Sequence, residues 1–326
     1  MRERHLFSLR VVGVGTARHG CVYAAGGVDT ARARALVERR ERLELLGQSP
    51  DRVFPRDTTD LFAHVATRPA SAPPCIVVET TPLDIWSGQP AIDHIRRAFA
   101  LGAHVVTANK GPIAHAYRQL AAEARAAGVH FLFEGVVMDG VPLFNLVRAT
   151  LPLVSVTGFR GVLNSTTNYV LSAMEDGLDF DTALGMMQER GIAEADPALD
   201  VDGWDAAAKT AALMNVLMGA QVTPRDILRT GIRHVTMEQA QEARRRGLRL
   251  KLVASADIVD GRAQGQVEVV ELMATDLLAT LDGMSNAVVL RTDLLGELAV
   301  VQIDSSLTHT AYALLTDIVT IAHRLA

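Results

Sequence analysis

The chain has 326 residues, 49% of them hydrophobic, and a formal net charge of −5. This length allows two domains with a full core, and the slightly negative charge argues against a nucleic-acid-binding protein. No apolar run reaches the roughly 18 residues of a membrane-spanning helix, and the N-terminus has no apolar block of signal-peptide length. We therefore expect a cytoplasmic globular protein without nucleic-acid or membrane partners, in which Cys21 and Cys75 are reduced packing residues.

The first candidate strand, LRVVGVG at residues 9–15, is a β-branched run that ends at glycine. Gly13 and Gly15 begin a G-x-G pattern, but Arg18 occupies the position of the third glycine in a dinucleotide-binding fingerprint. The glycine pattern alone is therefore weak evidence for a nucleotide site.

The next part of the chain alternates predicted helices and strands. A charged helix is expected within 29–47, a short helix near 59–66, strands at 75–79 and 104–107, and helices at 91–101 and 113–127. The loops ETTPLDIWSGQP and TANKGP follow the two strands, at the edge where open α/β sheets bind ligands. Lys110 follows the end of the second strand and precedes a turn and a helix, which is the geometry of a site residue. A lysine alone in such a loop would be a solvated residue, but the second lysine, Lys209, favours a site.

Later elements predict a mixed or mainly antiparallel sheet with helices on one face. Helices are expected at 142–150, 169–175 and 180–190, and from Ser306 to the end. Strands are expected at 154–162, 250–258, 266–271, 287–291 and 296–303, and a further strand at 129–133 precedes this part of the chain.

The most informative stretch, residues 161–209, combines a polar cluster, an acidic loop and the helix start DAAAK. Asp205 and Lys209 are four residues apart and therefore project from the same helix face. An exposed D-x-x-x-K would be a solvated ion pair of little consequence. The surrounding alanines and Trp204 favour a buried pair instead, and burial alone makes the proton of a lysine easier to give up.

Three separated stretches resemble homoserine dehydrogenase: VVTANKGP at 105–112, GVLNSTTNYVL at 161–171 and GIAEADPALDVDGWDAAAK at 191–209. The resemblance implies an α/β protein with a Rossmann-like nucleotide domain over 1–136, joined by the C-terminal helix 305–326. An α+β domain for substrate binding and dimerisation would cover 137–304. RVVGVGTARHGCVYAAGGVD resembles the second strand of the nucleotide domain, so its first strand and glycine loop would lie before Met1.

The same resemblance implies roles for individual residues in the interconversion of L-homoserine and L-aspartate 4-semialdehyde, a step of amino-acid biosynthesis. Lys209 and Lys110 would be catalytic, and Glu194, Asp200, Asp205, Asn164 and Thr166 would bind the substrate. Thr16, Arg18, His19, Thr80, Thr81, Asn109 and Lys110 would lie along NADP or NAD. Glu134, Val137, Asp139 and Val141 would surround a Na⁺ or K⁺ ion.

Two alternatives stay open. Arg18, without an acidic partner, would favour the 2′-phosphate of NADP, or it is a solvated loop residue. The chain as a whole is a dehydrogenase, expected to be a homodimer, or a non-catalytic homologue that has lost its dinucleotide loop. QIDSSL at 302–307 also replaces a glycine-rich turn that is usual in the family.

Overall fold

The computed structural model describes residues 7–189, 196–303 and 306–325. Three sheets organise this part of the chain. A small antiparallel sheet and a parallel sheet belong to an N-terminal region (residues 7–136), and a larger sheet belongs to a C-terminal region (residues 137–303). The predicted domain boundary at 136 remains a prediction, because one hydrophobic cluster continues across it, from Ile92 to Leu290.

The N-terminal antiparallel sheet consists of β1 (Gly13–Thr16), β2 (Gly20–Ala24) and β3 (Arg52–Val53). Two helices accompany it, α1 (Thr30–Glu38) and α2 (Thr58–Ala66). A Cβ on Gly13 or Gly15 would lie 3.2 or 3.1 Å from Leu61 of α2, so glycine allows the close approach of strand and helix. The strand expected at 9–15 is thus shifted and pairs in a hairpin, and not with the parallel sheet.

The parallel sheet has the order β4 (Ile76–Glu79), β5 (His104–Thr107) and β6 (Phe131–Leu132). Helix α3 (Ala91–Ala100) connects the first two strands, and α4 (Lys110–Ala126) connects the last two. All four residues of β5 are buried, as expected for the central strand of a parallel sheet. Helix α4 begins three residues earlier than the sequence predicts, so Lys110 lies in its first turn.

The C-terminal region is built on a six-stranded sheet in which the last pair of neighbouring strands is parallel and the other four pairs are antiparallel. Its order is β12 (Gly296–Gln302), β11 (Asn286–Thr292), β7 (Val156–Val162), β9 (Leu248–Val259), β10 (Arg262–Met273) and β8 (Leu228–Arg229).

The remaining helices are α5 (Leu143–Asn145), which continues as the π-helical turn Leu146–Thr150, α6 (Ser165–Glu175), α7 (Phe180–Glu189), α8 (Ala198–Val201), α9 (Trp204–Leu217), α10 (Met237–Arg245) and α11 (Leu307–Leu325). Helices α6, α9 and α10 pack on strands β9 and β10 of the mixed sheet. Helix α11 returns to the parallel sheet, where Ile321 packs against Val106 and Leu132. Helices α4 and α9 pack against each other, so the two regions meet along these helices.

Candidate active site

Three helices begin at the same place between the two regions. Helix α4 starts with Lys110, α6 is capped by Asn164, and α9 carries Asp205 in its first turn. The cap of α6 forms because the side-chain oxygen of Asn164 accepts a hydrogen bond from the backbone N–H of Thr167, 2.9 Å away. Polar side chains from distant motifs are therefore brought together at helix N-termini.

The carboxylate of Asp205 lies between two lysines. Lys110 Nζ is 2.7 Å from Asp205 Oδ1, and Lys209 Nζ is 3.0 Å from Asp205 Oδ2. The sequence has only three lysines, and two of them meet here. Their side chains are 19% and 16% exposed, and that of Asp205 is 12% exposed, so the cluster is largely removed from water but not sealed from a ligand.

Asn164 connects the acidic loop to this cluster. Its Nδ2 donates hydrogen bonds to Asp200 Oδ1 at 2.7 Å and to Asp205 Oδ2 at 3.0 Å. The hydroxyl of Thr166 also bonds to the carboxyl of Asp200. Four of the five predicted substrate-binding residues are therefore contiguous with both lysines. The fifth, Glu194, lies outside the described residues.

The charges of the cluster control its protonation. Burial alone would raise the pKa of Asp205, but Lys110 and Lys209 outweigh it and hold that pKa well below its ordinary value. Burial and the neighbouring Asp205 raise the pKa of Asp200. The cluster therefore contains one firmly ionised carboxylate and a second that holds its proton more strongly than an ordinary aspartic acid.

The expectation that Lys209 gives up its proton easily is wrong. Burial is the largest single influence and acts to lower its pKa, but the charge and hydrogen bond of Asp205, together with smaller contributions from Asp139 and Asp200, outweigh it, so the pKa is raised. Lys209 Nζ also donates a hydrogen bond to the backbone oxygen of Leu163 at 2.6 Å. Lys209 is thus a stable ammonium group that can donate a proton or a hydrogen bond.

The predicted cofactor residues beside Lys110 hold the loop after β4 against the start of α4. Asn109 caps α4 through a 3.0 Å bond from the N–H of Gly111, and its Nδ2 donates to the backbone oxygen of Thr81 at 3.0 Å. The hydroxyl of Thr81 donates to the buried carboxylate of Glu79, whereas Thr80 is exposed. This loop lies at the carboxyl edge of the parallel sheet, as predicted.

The other predicted cofactor residues, Thr16, Arg18 and His19, lie in the turn between β1 and β2. Thr16 Oγ1 accepts from the N–H of His19 at 2.8 Å, and the His19 ring bonds to the backbone oxygen of Glu41. Arg18 is exposed. Among the described residues, no hydrogen bond or ion pair joins this turn to the lysine cluster, so the role of these three residues in cofactor binding stays a prediction.

The predicted cation turn is already hydrogen-bonded within the protein. Both carboxylate oxygens of Glu134 accept backbone N–H groups, from Phe144 and Asn145, at 2.7 Å. The carbonyl of Val141 accepts from the N–H of Leu143, and Val137 is buried. Asp139 adopts a left-handed backbone conformation, with φ of 47°, and its carboxylate accepts from Thr310 at 3.0 Å. Within the described ranges, no group of three or more acidic, histidine or cysteine side chains could hold a metal ion.

Sequence reasoning missed three contributors to the site: the backbone oxygen of Leu163, the negative charge of Asp139 near Lys209, and Trp86, whose ring contacts that of Trp204. None of them has a local sequence signal, because each acts through a contact distant in sequence.

In the described part of the chain, no helix is both long and apolar enough to cross a membrane.

Comparisons with known proteins cover both regions. The homoserine dehydrogenase NAD-binding domain matches residues 14–134, and the homoserine dehydrogenase family model matches residues 142–319. The chain is 37% identical to an NAD(+)-dependent homoserine dehydrogenase of Pseudomonas canavaninivorans over 314 residues, which are 96% of this chain and 86% of that protein. It is 36% identical to a homoserine dehydrogenase of Methanocaldococcus jannaschii over 320 residues, covering 97% and 90%.

A solved structure shows the same fold. The crystal structure of a putative homoserine dehydrogenase from Archaeoglobus fulgidus matches with a TM-score of 0.80 and 27% identity, over 96% of this chain and 89% of that one. Matches over both regions support an enzyme and not the non-catalytic alternative. The chain therefore belongs to the homoserine dehydrogenase family, whose fold and lysine motifs the sequence already indicated.

Proposed function

We propose that the cluster of Lys110, Asp205 and Lys209 is the catalytic centre of an NAD(P)-dependent interconversion of L-homoserine and L-aspartate 4-semialdehyde. One observation supports this proposal most strongly. The carboxylate of Asp205 lies 2.7 Å from Lys110 Nζ of the N-terminal region and 3.0 Å from Lys209 Nζ of the C-terminal region. An aldehyde that accepts a hydride becomes an alkoxide, and adjacent ammonium groups stabilise that charge and supply the proton.

Lys209 is the better proton partner for the substrate oxygen. Its pKa is raised by Asp205, so it is an ammonium at neutral pH and can donate to the developing alkoxide. In the opposite direction, the hydroxyl of homoserine must lose its proton to a lysine that has first become neutral. Lys110 shares Asp205 with Lys209 and supports the same oxygen from the side of the parallel sheet.

The substrate's ammonium group is assigned to the acidic side of the cluster. Asp200 and Asp205 lie on either side of the amide of Asn164, and Thr166 bonds to Asp200. Asp200 is held by the neutral donors Asn164 and Thr166, so its carboxyl group can accept further hydrogen bonds from a substrate amine, and the ionised Asp205 adds negative charge beside it. Glu194 is proposed for the same role on the resemblance alone.

The residues at the edge of the parallel sheet fit the nicotinamide end of NAD(P). Thr80, Thr81 and Asn109 offer hydroxyl and amide groups at the ends of β4 and β5, where α/β sheets bind nucleotides. When bound, the cofactor supplies or accepts the hydride. Arg18 is proposed to contact the 2′-phosphate at the adenosine end of the cofactor and so to favour NADP. The Pseudomonas relative is named as NAD(+)-dependent.

Three further features are proposed: a homodimer formed through the C-terminal region and a Na⁺ or K⁺ ion near Val137, Asp139 and Val141, both on the resemblance, and a cytoplasmic location, on the sequence composition. The ion has the weakest support of the three, because the side chain of Glu134 and the carbonyl of Val141 already have hydrogen-bond partners.

The test of the proposed function is NAD(P)H oxidation with L-aspartate 4-semialdehyde by the wild type, Lys209→Met and Arg245→Ala. Methionine keeps the unbranched shape and most of the length of the lysine side chain but cannot donate a proton, so kcat should fall by about 1,000-fold while NAD(P)H binding stays within about threefold. Arg245 forms an exposed ion pair with Glu242 and serves as the control. Wild-type protein without turnover, or Lys209→Met with full turnover, would contradict the proposal.

A further inference from the structure

We infer that Trp86 and Trp204 form a latch between the two regions that positions Asp205 between the catalytic lysines. These are the only two tryptophans in the chain. Trp86 lies in the loop after β4, and Trp204 is the first residue of α9, directly before Asp205. This inference rests on the proposed function, since it assigns a positioning role to residues that would not touch the substrate.

The two indole rings are in direct contact. Their centroids are 4.6 Å apart, and the ring planes are inclined at 75°, which is a favourable edge-to-face geometry. An arginine lies over each ring as well: Arg229 is 3.8 Å from the centroid of Trp204, and Arg225 is 5.4 Å from that of Trp86. The four side chains therefore form one continuous stack across the boundary between the regions.

On the N-terminal side, the stack is fixed to the helix that carries Lys110. Asp84 Oδ1 accepts from the N–H of Trp86 at 2.8 Å, and the ring of His115 in α4 bonds to the backbone oxygen of Ile85 at 2.8 Å. A Cβ on Gly88 would lie only 3.0 Å from the backbone of Gly111, so the loop and the first turn of α4 are packed without spare room. Trp86 thus moves with the start of α4.

On the C-terminal side, the stack holds a helix start that has no side-chain cap. The N-cap of α9 is Gly203, with φ of 77° and no capping hydrogen bond. Arg229, which covers Trp204, also donates a hydrogen bond to the backbone oxygen of Asp202. A Cβ on Gly231 would overlap the carbonyl oxygen of Val201, so the corner between α8 and α9 is packed tightly on that side. Trp204 is thus held between Arg229 and Trp86.

A second attachment between the regions explains why loss of the latch should shift the start of α9 without separating α9 from α4. Near the far end of α9, Asn215 Nδ2 lies 3.2 Å from the backbone oxygens of both Ile113 and Ala114 in α4. Without Trp86, α9 remains attached to α4 at Asn215, but its first turn loses the contact that sets the distance between Asp205 and Lys110. Trp86 is 47% exposed, so removal of its side chain leaves no closed cavity.

The experiment compares Trp86→Ala, Trp86→Phe and the control Leu45→Ala, which removes an exposed apolar side chain elsewhere in the N-terminal region. Trp86→Ala should lower kcat about tenfold, because a small displacement of catalytic groups is costly, and leave KM for homoserine within about twofold, because Asp200 and Thr166, which bind the substrate in the proposed function, are not part of the latch. Trp86→Phe keeps an edge-to-face ring and should stay within about twofold of wild type in kcat, as should Leu45→Ala. An unchanged kcat in Trp86→Ala, or an equal loss in Trp86→Phe, would overturn the latch.

Circular dichroism in the near ultraviolet tests the latch without any need for activity. Stacked indoles couple, so the wild-type tryptophan signal should differ from the sum of the signals that remain in Trp86→Phe and Trp204→Phe. A wild-type spectrum equal to that sum would show that the rings are apart and overturn the inference. A wild type that lacks turnover but shows the coupling would contradict the proposed function and leave the contact between the rings established.

Discussion

Lys110 Nζ lies 2.7 Å from Asp205 Oδ1, although one residue follows the central strand of the parallel sheet and the other begins a helix of the C-terminal region. This ion pair joins the proposed cofactor side of the cleft to the substrate side. Lys209 approaches the same carboxylate from within its own helix. The activity we propose therefore depends on how the two regions pack, and not on either motif alone.

Asp205→Asn tests whether the charge of this carboxylate raises the pKa of Lys209. The amide keeps the shape of the side chain but removes the charge that raises the pKa of Lys209. The ascending limb of the pH profile for homoserine oxidation, on which Lys209 loses its proton, should therefore move to lower pH than in wild type. Steady-state kcat/KM across pH measures the shift, with Asp176→Asn, an exposed surface carboxylate, as the control. An unmoved limb would exclude Lys209 as the titrating group.

The two directions of the reaction should depend differently on pH. Because the pKa of Lys209 lies above its ordinary value, the neutral lysine needed to deprotonate homoserine is scarce at neutral pH. We expect kcat/KM for oxidation to keep rising up to at least about pH 9, and that for semialdehyde reduction to stay flat between about pH 6 and pH 9. An oxidation profile that levels off near neutrality would contradict the assignment.

Lys251 predicts a pH-dependent stability unrelated to catalysis. Burial, and next the charge of Arg249, lower its pKa to about 8. Its ammonium group is fully buried and bonds to Asn168, Ser172 and the backbone oxygen of Leu281. Between pH 8 and the ordinary value of 10.5, the folded state binds fewer protons than the unfolded state, so this lysine's contribution to stability increases with pH.

The measurement is urea unfolding of the wild type and Lys251→Met at several pH values. The free energy of unfolding of the wild type, minus that of the variant, should increase by up to about 3 kcal/mol across this window. The difference is used because other groups titrate in both proteins. A difference that is constant with pH, or that falls, would show that the pKa of Lys251 is not depressed.

Arg18→Ala tests the proposed choice of NADP. If the exposed arginine contacts the 2′-phosphate, its removal should lower the preference for NADPH over NADH by about tenfold with little change in KM for NADH. Arg10→Ala, which removes an exposed arginine outside the turn, should leave the preference unchanged. An equal loss with both cofactors would assign Arg18 to the stability of the hairpin instead.

Local patterns in the sequence predicted the elements that carry the site. The strand His104–Thr107 has the predicted bounds, and Asp205 and Lys209 pair on one helix face as their spacing indicates. Both features depend on residues a few positions apart, where side-chain direction follows from the helix or strand geometry.

Features that depend on distant contacts could not be predicted in this way. The strand at Gly13–Thr16 is apolar enough for either sheet, and only its pairing with β2 decides that it forms a hairpin. The raised pKa of Lys209 reverses the expectation from burial because Asp139 and Asp200, from other segments, add to the effect of Asp205. The contact of Trp86 with Trp204 likewise joins a loop and a helix start that carry no common motif.

The most direct test of the account is a double-mutant cycle for kcat with Lys110→Ala, Lys209→Ala and the double variant. Because both lysines bind the same carboxylate and would act on the same oxygen, the loss in the double variant should be at least about tenfold smaller than the product of the two single losses. Independent losses that multiply, or a single variant with wild-type kcat, would show that the two lysines do not form one catalytic unit.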